Sequence, residues 1–344
     1  PAGSIGGILG NLLSGIGSDV IGRRRLVWLS ALLLAAALAL SAAAKLWLLF
    51  VIGYVLVSTT QGSLSTGINA MIADANRESR SRALNTLHGV YGIGATVSPL
   101  VIGYLLQRGL QWRWALGGTG LIWLIYGLVT YLIYRTAGPE GSSNKAQKLD
   151  LAMLRDGPFL ALFVIGFIYN GVAVSLLGWI AVIMKQSAGF STFFSVSMIS
   201  VFYVALTIGR FACAAFSEKI GYARTLLILA IGITVTYPLV VLGVHSFLIV
   251  VGVFLTGLSF SGLFPTTLAY GSRLYPEQTG TLSGTLSVAL TIGSMVPPLW
   301  TGVIASHWSF QVALGVNYVM VLPLIFLALY LGRLEVGQAK VVAQ

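Results

Sequence analysis

The chain has 344 residues, of which 57% are hydrophobic and 8% are charged, and its mean hydropathy is +0.90. Soluble domains carry about a quarter charged residues, so this composition excludes an ordinary soluble protein and predicts an all-α polytopic membrane protein. The net charge of +11 does not indicate a nucleic-acid partner, because the basic residues lie in short loops between apolar runs.

Eleven apolar runs have about the 20 residues that a helix needs to cross roughly 30 Å of hydrocarbon. The first run lacks the basic start of a signal peptide, so we predict that it is a membrane helix. The eleven predicted spans are 1–18, 26–44, 47–72, 83–106, 112–134, 159–185, 192–216, 225–244, 247–275, 281–305 and 310–332.

The basic residues predict the orientation of these spans. If the turn at residues 19–25 is cytoplasmic, fifteen lysines and arginines lie in cytoplasmic segments. The opposite side then carries only Lys45, Arg108, Arg113 and Lys185. By the positive-inside rule, the linker and the C-terminus are cytoplasmic, and we expect the protein in the plasma (inner) membrane.

The turn between the first two runs recurs in the second half of the chain. Asp19 and Gly22 are followed by arginines, and Glu218 and Gly221 recur 199 residues later with Arg224 behind them. The same offset maps the four spans from 26–44 to 112–134 onto later spans, which indicates an internal duplication. The partner of 159–185 would precede residue 1, so we predict that a leading helix is missing from a design of six helices plus six.

The duplication predicts four segments. An N-terminal bundle of five helices covers 1–134, with its first helix absent, and a cytoplasmic linker covers 135–158. A C-terminal bundle of six helices covers 159–332, and a cytoplasmic tail covers 333–344.

Two parallel six-helix repeats joined by a cytoplasmic linker resemble the major facilitator superfamily of transporters. The turn Gly15-x-x-x-Asp19-x-x-Gly22-Arg23-Arg24 is similar to that superfamily's signature loop, although Val20 stands where the family usually has Arg or Lys. The resemblance implies the major facilitator fold, with two pseudo-symmetric helical bundles and 11 of 12 transmembrane helices present.

Several stretches resemble the fucose-permease and sodium-dependent glucose-transporter branch. They are Gly67–Asp74, Arg82–Gly89, Gly178-Trp179, Phe202–Arg210 and the run beginning Phe264-Pro265. Asn170 departs from the pattern, because many of these relatives carry a glutamate there.

The signature loop suggests a latch, meaning a contact that holds the two halves together in one state. A carboxylate is favourable at a helix N-terminus, and the resembled fold places Asp19 against the helix starting near Thr281. Glu218 would act in the same way on the helix starting near Ala83; alternatively, the arginines merely fix topology. We expect Arg210 to reach the surface or to pair with Glu218, as a structural anchor. The predicted gating set is Gly15, Asp19, Gly22, Arg23, Arg24, Arg210, Glu218 and Gly221.

Placing a polar side chain inside the bilayer costs free energy, so polar side chains at membrane depth are candidates for a solute site. Amides offer donors and acceptors together, which suits the hydroxyls of a sugar-like solute, and aromatic faces can cover a ring. Hydrogen bonding between helices is the alternative role, and a neutral, hydrogen-bonded His88 is favoured over a proton carrier. The predicted substrate-binding set is Gln61, Asn69, Asn85, His88, Asn170, Trp179 and Tyr203.

These features predict a secondary active or facilitative transporter of a small, polar, sugar-like solute by alternating access. The alternative is a proton-coupled drug antiporter of the same superfamily. All nine acidic residues lie in loops or at helix ends. Either the acid that couples transport to an ion is on the missing helix, or the protein is a uniporter. Both H+ and Na+ remain candidates for the coupling ion. No phosphate-binding loop, metal cluster or nucleophile–base pair is visible, so we expect neither an enzyme nor a cofactor. The partners are the solute and the lipid bilayer, and we expect a monomer.

Overall fold

The computed structural model describes residues 2–136, 151–186, 192–242 and 246–342. Twelve α-helices and one short 3-10 helix, Leu151–Arg155, form within this part of the chain. Residues 137–150 of the predicted linker lie outside it. The helices are α1 Ala2–Ile21, α2 Arg23–Ala43, α3 Trp47–Ala75, α4 Arg80–Gln107, α5 Trp112–Thr136, α6 Gly157–Gln186, α7 Thr192–Ile220, α8 Tyr222–Val241, α9 Ser246–Phe260, α10 Leu263–Leu274, α11 Thr279–His307 and α12 Phe310–Val342.

Nine segments of the described residues are long and apolar enough to cross a membrane. Each of them coincides with one of the eleven predicted spans. The other two predicted spans, 1–18 and 83–106, lie in α1 and α4, which are helical but contain side chains outside the described residues. The described chain therefore has the all-α, multi-pass membrane architecture that its composition predicts.

The helix ends repeat at the predicted offset of 199 residues. The turn glycines Gly22 and Gly221 adopt nearly the same backbone conformation, with φ 93° and ψ 142° at the first and φ 95° and ψ 148° at the second. Because φ near +90° is readily accessible only to glycine, both turns require glycine at this position. Helices α1 and α7 end just before these turns, at Ile21 and Ile220, and α2 and α8 begin just after them.

The second copy departs from the first in the middle of one helix. The helix α3 is continuous, whereas the equivalent stretch is divided into α9 and α10 at Ser261 and Gly262. Pro265 explains the break, because it has no N–H to donate to the Ser261 carbonyl and its ring clashes with that carbonyl in a regular helix. The predicted span 247–275 is thus one membrane span built from two helices.

The chain divides into two compact units. Unit 1 comprises residues 1–77, 97–153 and 272–291, and unit 2 comprises residues 78–96, 154–271 and 292–344. Both α4 and α11 are shared, since the first part of each belongs to a different unit from its last part. The predicted bundles 1–134 and 159–332 do not share helices in this way, so their boundaries stay a prediction.

Each unit has its own packing. In unit 1, α3 packs against α1 and α2, and α2 packs against α5. A buried apolar cluster fills this region, formed by Val27, Ala31, Leu34, Leu38 and Leu64. In unit 2, α9 packs against α7 and α8, and α12 packs against α6 and α8.

Candidate functional site

Three polar side chains of unit 1 meet beside the first turn, and we call them the Arg23 cluster. Arg23 Nη1 lies 2.7 Å from Asp74 Oδ2, and Arg23 Nη2 donates a hydrogen bond of 2.6 Å to Thr279 Oγ1. The Thr279 hydroxyl in turn donates to the Asp74 carboxylate, at 3.0 Å from Oδ1 and 3.1 Å from Oδ2. Only 19% of the Arg23 side chain and 16% of the Asp74 side chain are exposed, so solvent screens this ion pair less than a surface pair. The cluster ties the beginnings of α2 and α11 to the end of α3.

Glycines bring α1 and α11 into close contact within unit 1. A Cβ atom on Gly15 would lie 3.0 Å from the Gly280 carbonyl oxygen and 3.1 Å from the α-carbon of Gly284. A Cβ atom on Gly284 would clash with the Asn11 carbonyl oxygen. Small residues four apart allow such an approach between membrane helices. Gly15, which the sequence places in the signature loop, therefore serves as a packing position.

We expect Gly15→Val to destabilise the protein by about 1–3 kcal/mol, because overpacking a close helix contact forces the backbones apart. The matched control is Gly7→Val, since a Cβ atom there has nothing within 4 Å. Thermal unfolding of the purified variants should show a lower midpoint for Gly15→Val than for Gly7→Val. Equal midpoints would contradict the close contact.

A second cluster, in unit 2, joins the end of α7 to the beginning of α4, and we call it the Glu218 cluster. Glu218 Oε1 accepts hydrogen bonds from the backbone N–H of Ser81 at 2.8 Å and of Arg82 at 3.2 Å. Tyr222 OH donates to Glu218 Oε2 at 2.8 Å, and Ser217 Oγ donates to Ser81 Oγ at 2.7 Å. The first N–H groups of a helix have no partner within it, and a carboxylate there is favoured by the helix dipole. Glu218 therefore caps α4 from another helix.

The sequence predicts that Glu218 acts on a helix starting near Ala83, and α4 does begin at Arg80. The part of Glu218 in gating stays a prediction. Asp19 lies in α1, but its side chain is outside the described residues.

Asn85, one of the predicted substrate residues, is fully buried beside the Glu218 cluster. Its Nδ2 donates to the Ser81 carbonyl at 2.9 Å, to Ser81 Oγ at 3.0 Å and to Thr266 Oγ1 at 3.3 Å. Its Oδ1 is buried and has no hydrogen-bond donor among the described residues. The amide thus joins α4 to α10 and keeps one acceptor available.

Arg210 is buried in unit 2, with 7% of its surface exposed, and its partners define the Arg210 cluster. Its Nη1 donates to the His88 carbonyl at 2.8 Å, its Nη2 to Tyr169 OH at 3.4 Å and its Nε to the Ser261 carbonyl at 3.4 Å. The Ser261 carbonyl is the one that Pro265 leaves without a helical donor. A buried charge needs such hydrogen bonds to offset its lost hydration.

Both contacts that the sequence predicts for Arg210 are wrong. Arg210 does not reach the surface, and its described partners do not include Glu218. The reason is geometric, because the planar guanidinium finds three acceptors on α4, on α6 and at the break between α9 and α10, the last of them freed by a proline.

The other predicted residues of unit 2 fall into two groups. The His88 ring packs edge-on against Phe264 at 5.5 Å, and its Nε2 has no hydrogen-bond partner among the described residues. Tyr203 is partly buried on α7, seven residues or about two turns before Arg210, and Asn170 is partly buried on α6 next to Tyr169. These three residues surround or adjoin the Arg210 cluster. Trp179 instead packs against Phe310, with ring centroids 5.3 Å apart.

Unit 1 holds the remaining predicted residues. Gln61 is exposed on α3, whereas Asn69 on the same helix is buried. The Arg24 guanidinium lies 5.6 Å above the Tyr134 ring. No group of three metal-ligating side chains occurs within the described residues.

Asp74 and Thr279 are absent from the sets that the sequence predicts. The available signal was an acid at the end of a predicted span, on the same side of the membrane as the arginine-rich turn. Spacing along the chain could not pair them, because Thr279 is 205 residues from Asp74 and 256 from Arg23.

Known proteins resemble this chain over most of its length. The family model of the Major Facilitator Superfamily matches residues 2–244 and 197–343. The MFS-type transporter YfkL of Bacillus subtilis (strain 168) is 24% identical over 309 residues, which are 85% of this chain and 75% of YfkL. The glucose/mannose transporter GlcP of the same organism is 21% identical over 301 residues, covering 84% of this chain and 74% of GlcP.

A solved structure agrees in fold. The crystal structure of the E. coli fucose:proton symporter FucP superposes with a TM-score of 0.81 at 14% identity, covering 96% of this chain and 89% of FucP. The predicted all-α transporter fold is confirmed by this likeness and by the family match.

Proposed function

Because this chain belongs to the Major Facilitator Superfamily, we propose that it carries a small, polar, sugar-like solute across the membrane by alternating access. The observation that carries the proposal is the polar group at membrane depth in unit 2, where His88, Tyr169 and Tyr203 accompany a buried Arg210. Such residues are costly inside a membrane and mark solute pathways by default. Hydroxyl, imidazole and amide groups suit a polyhydroxylated solute.

The relatives support the same solute class. GlcP is named as a glucose/mannose transporter, and FucP is named as a fucose:proton symporter. A drug antiporter of the same superfamily is the weaker alternative, since a lipophilic solute requires a mainly apolar site. Transport of this kind requires no covalent chemistry by the protein.

The two turn clusters complete the proposed mechanism. The Arg23 cluster and the Glu218 cluster each fix the N-terminus of a long helix, α11 and α4 respectively, through charged contacts. We infer that both clusters form in one of two alternating states and break in the other, with Asp19 joining the first. We also propose that the turns, the linker and the C-terminus lie on the cytoplasmic side of the plasma membrane and that the working unit is a monomer.

Transport by the purified full-length protein in lipid vesicles tests the proposal. Uptake of labelled glucose, mannose and fucose is measured with no gradient, with a proton gradient and with a sodium gradient. Saturable uptake of a hexose is the expected result, and its response to the gradients identifies the coupling ion. Export of a lipophilic cation without any hexose uptake would overturn the proposal in favour of the drug antiporter.

We expect Gln61→Ala and Asn170→Ala to raise the half-saturation concentration of the transported sugar by about fivefold each, since a hydrogen bond contributes about 1 kcal/mol. The matched control is Asn317→Ala, because Asn317 donates to Thr301 at 2.9 Å and accepts from Trp300 at 2.8 Å. That variant should lower thermal stability and leave the half-saturation concentration unchanged. An unchanged value for the first two variants would remove both residues from the site.

A further inference from the structure

A groove of about 610 Å³ lies in unit 2 between the beginning of α8 and the end of α12. Apolar side chains, including Leu227 and Leu329, form part of its walls. At its floor the two helices approach each other through small residues, since a Cβ atom on Gly332 would lie 3.8 Å from Ala223 Cβ. Arg224 and Arg333 lie along the same lining.

The first copy of the repeat has aromatic contacts at the equivalent place. There α2 packs against α5, the Trp28 and Tyr131 rings lie 5.1 Å apart, and Arg24 lies over Tyr134. The positions 199 residues later hold smaller or differently charged side chains: Leu227 for Trp28, Ala223 for Arg24, Gly332 for Ile133 and Arg333 for Tyr134. The groove of unit 2 therefore lies where the second copy has smaller side chains than the first at three of these four positions.

The two arginines of the groove are available to a ligand. Both are exposed, and neither has a hydrogen bond or ion pair with another residue in the described part of the chain. Glu335 also lines the groove but has an interaction of its own. Two arginines and one glutamate give the lining a net charge of +1, so an anion is favoured.

The walls of the groove continue along the outer faces of both helices. On α8, Ile228 and Ile231 are 56% and 46% exposed, and on α12, Phe326 is 72% exposed. In a membrane protein, such apolar faces contact acyl chains. A ligand that fits both the rim and these faces has an anionic head and apolar chains.

We propose that this groove binds one anionic phospholipid of the surrounding bilayer. Its phosphate accepts hydrogen bonds from the guanidinium groups of Arg224 and Arg333, which match phosphate geometry. One acyl chain lies along Leu227 and Leu329 and passes over Gly332, which has no side chain. Basic pockets between membrane helices bind anionic lipid heads in this way. The proposal is independent of the transported solute.

Native mass spectrometry of the purified full-length protein, titrated with phosphatidylglycerol, tests the charge of the site. We expect one tightly bound lipid and about fivefold weaker binding for each arginine removed, so roughly 25-fold for Arg224→Gln with Arg333→Gln. The control pair Arg25→Gln with Arg77→Gln removes the same charge from exposed positions, and Arg25 is the repeat equivalent of Arg224. Wild-type affinity in the Arg224/Arg333 double variant would overturn the proposal, as would equal affinity for phosphatidylcholine.

A second variant tests the acyl-chain contact. Gly332→Ile introduces the side chain that the first repeat has at position 133 and keeps both arginines, so we expect it to lose the bound phosphatidylglycerol. Inorganic phosphate is the competing probe and should not displace the lipid from the wild type. Displacement by phosphate would show a site for a soluble anion and overturn the lipid assignment. Unchanged lipid binding by Gly332→Ile would overturn the placement of the acyl chain in this groove.

Discussion

Replacing Arg210 with methionine is expected to abolish measurable solute uptake and to lower stability by roughly 2 kcal/mol. The change leaves the His88 and Ser261 carbonyls and Tyr169 OH without the donor that each has now. An unsatisfied buried polar group costs about 1–3 kcal/mol. Methionine also removes a buried charge, which offsets part of that cost. The net loss should appear as a lower midpoint of thermal unfolding in the purified protein.

The contribution of the Ser261 carbonyl can be isolated with a double-mutant cycle. Pro265→Ala supplies the N–H that the carbonyl lacks, so the carbonyl no longer depends on Arg210. We expect Arg210→Met to cost about 1 kcal/mol less stability in the Pro265→Ala background than in the wild type. Additive effects of the two substitutions would contradict the assignment of Arg210 as the replacement donor.

The parts of the fold that the sequence predicts are those set by local pattern and by repetition. The lengths of the apolar runs are set by the thickness of the bilayer, so the spans could be drawn without knowing how the helices pack. The turn glycines Gly22 and Gly221 could be paired because one offset relates both copies of the repeat. Their matching positive φ values follow from a requirement that only glycine meets.

The contacts between helices could not be predicted from the sequence, for a physical reason. The chain does not reveal which helix ends meet, and Arg23, Asp74 and Thr279 come together only after α2, α3 and α11 have packed. Pro265 predicts a freed carbonyl, but the donor that reaches it depends on the position of α7. The sequence therefore predicts that Arg210 reaches the surface or pairs with Glu218, an acid eight residues away on the same helix, and it does not predict the acceptors on other segments of the chain.

The groove between α8 and α12, in contrast, can be recognised from the sequence. Aligning the two copies at the 199-residue offset places Trp28 opposite Leu227 and Ile133 opposite Gly332. A loss of side-chain volume at two positions of one helix pair predicts a cavity there.

Replacing Glu218 with alanine is expected to lower the transport rate by about tenfold or more with little change in the half-saturation concentration. The substitution removes a charged acceptor from two N–H groups in the first turn of α4 and from Tyr222 OH. Hydrogen bonds to a charged group contribute about 1.5–3 kcal/mol, and the helix dipole adds about 0.3–1 kcal/mol. If the cluster forms in only one of the alternating states, a loss of about 2 kcal/mol shifts their ratio roughly 30-fold.

Two further variants separate the charge of Glu218 from its hydrogen bonds. Glu218→Gln keeps an acceptor but loses the charge that the α4 N-terminus favours, so its rate should lie between those of alanine and the wild type. Glu78→Gln removes a charge from an exposed position in the turn between α3 and α4, just before the helix that Glu218 caps. This variant should transport at the wild-type rate. An unaltered rate in Glu218→Ala would show that the Glu218 cluster persists in both states or contributes to neither. A rate loss in Glu78→Gln as large as that in Glu218→Gln would instead assign the effect to the charge of the turn rather than to the cap on α4.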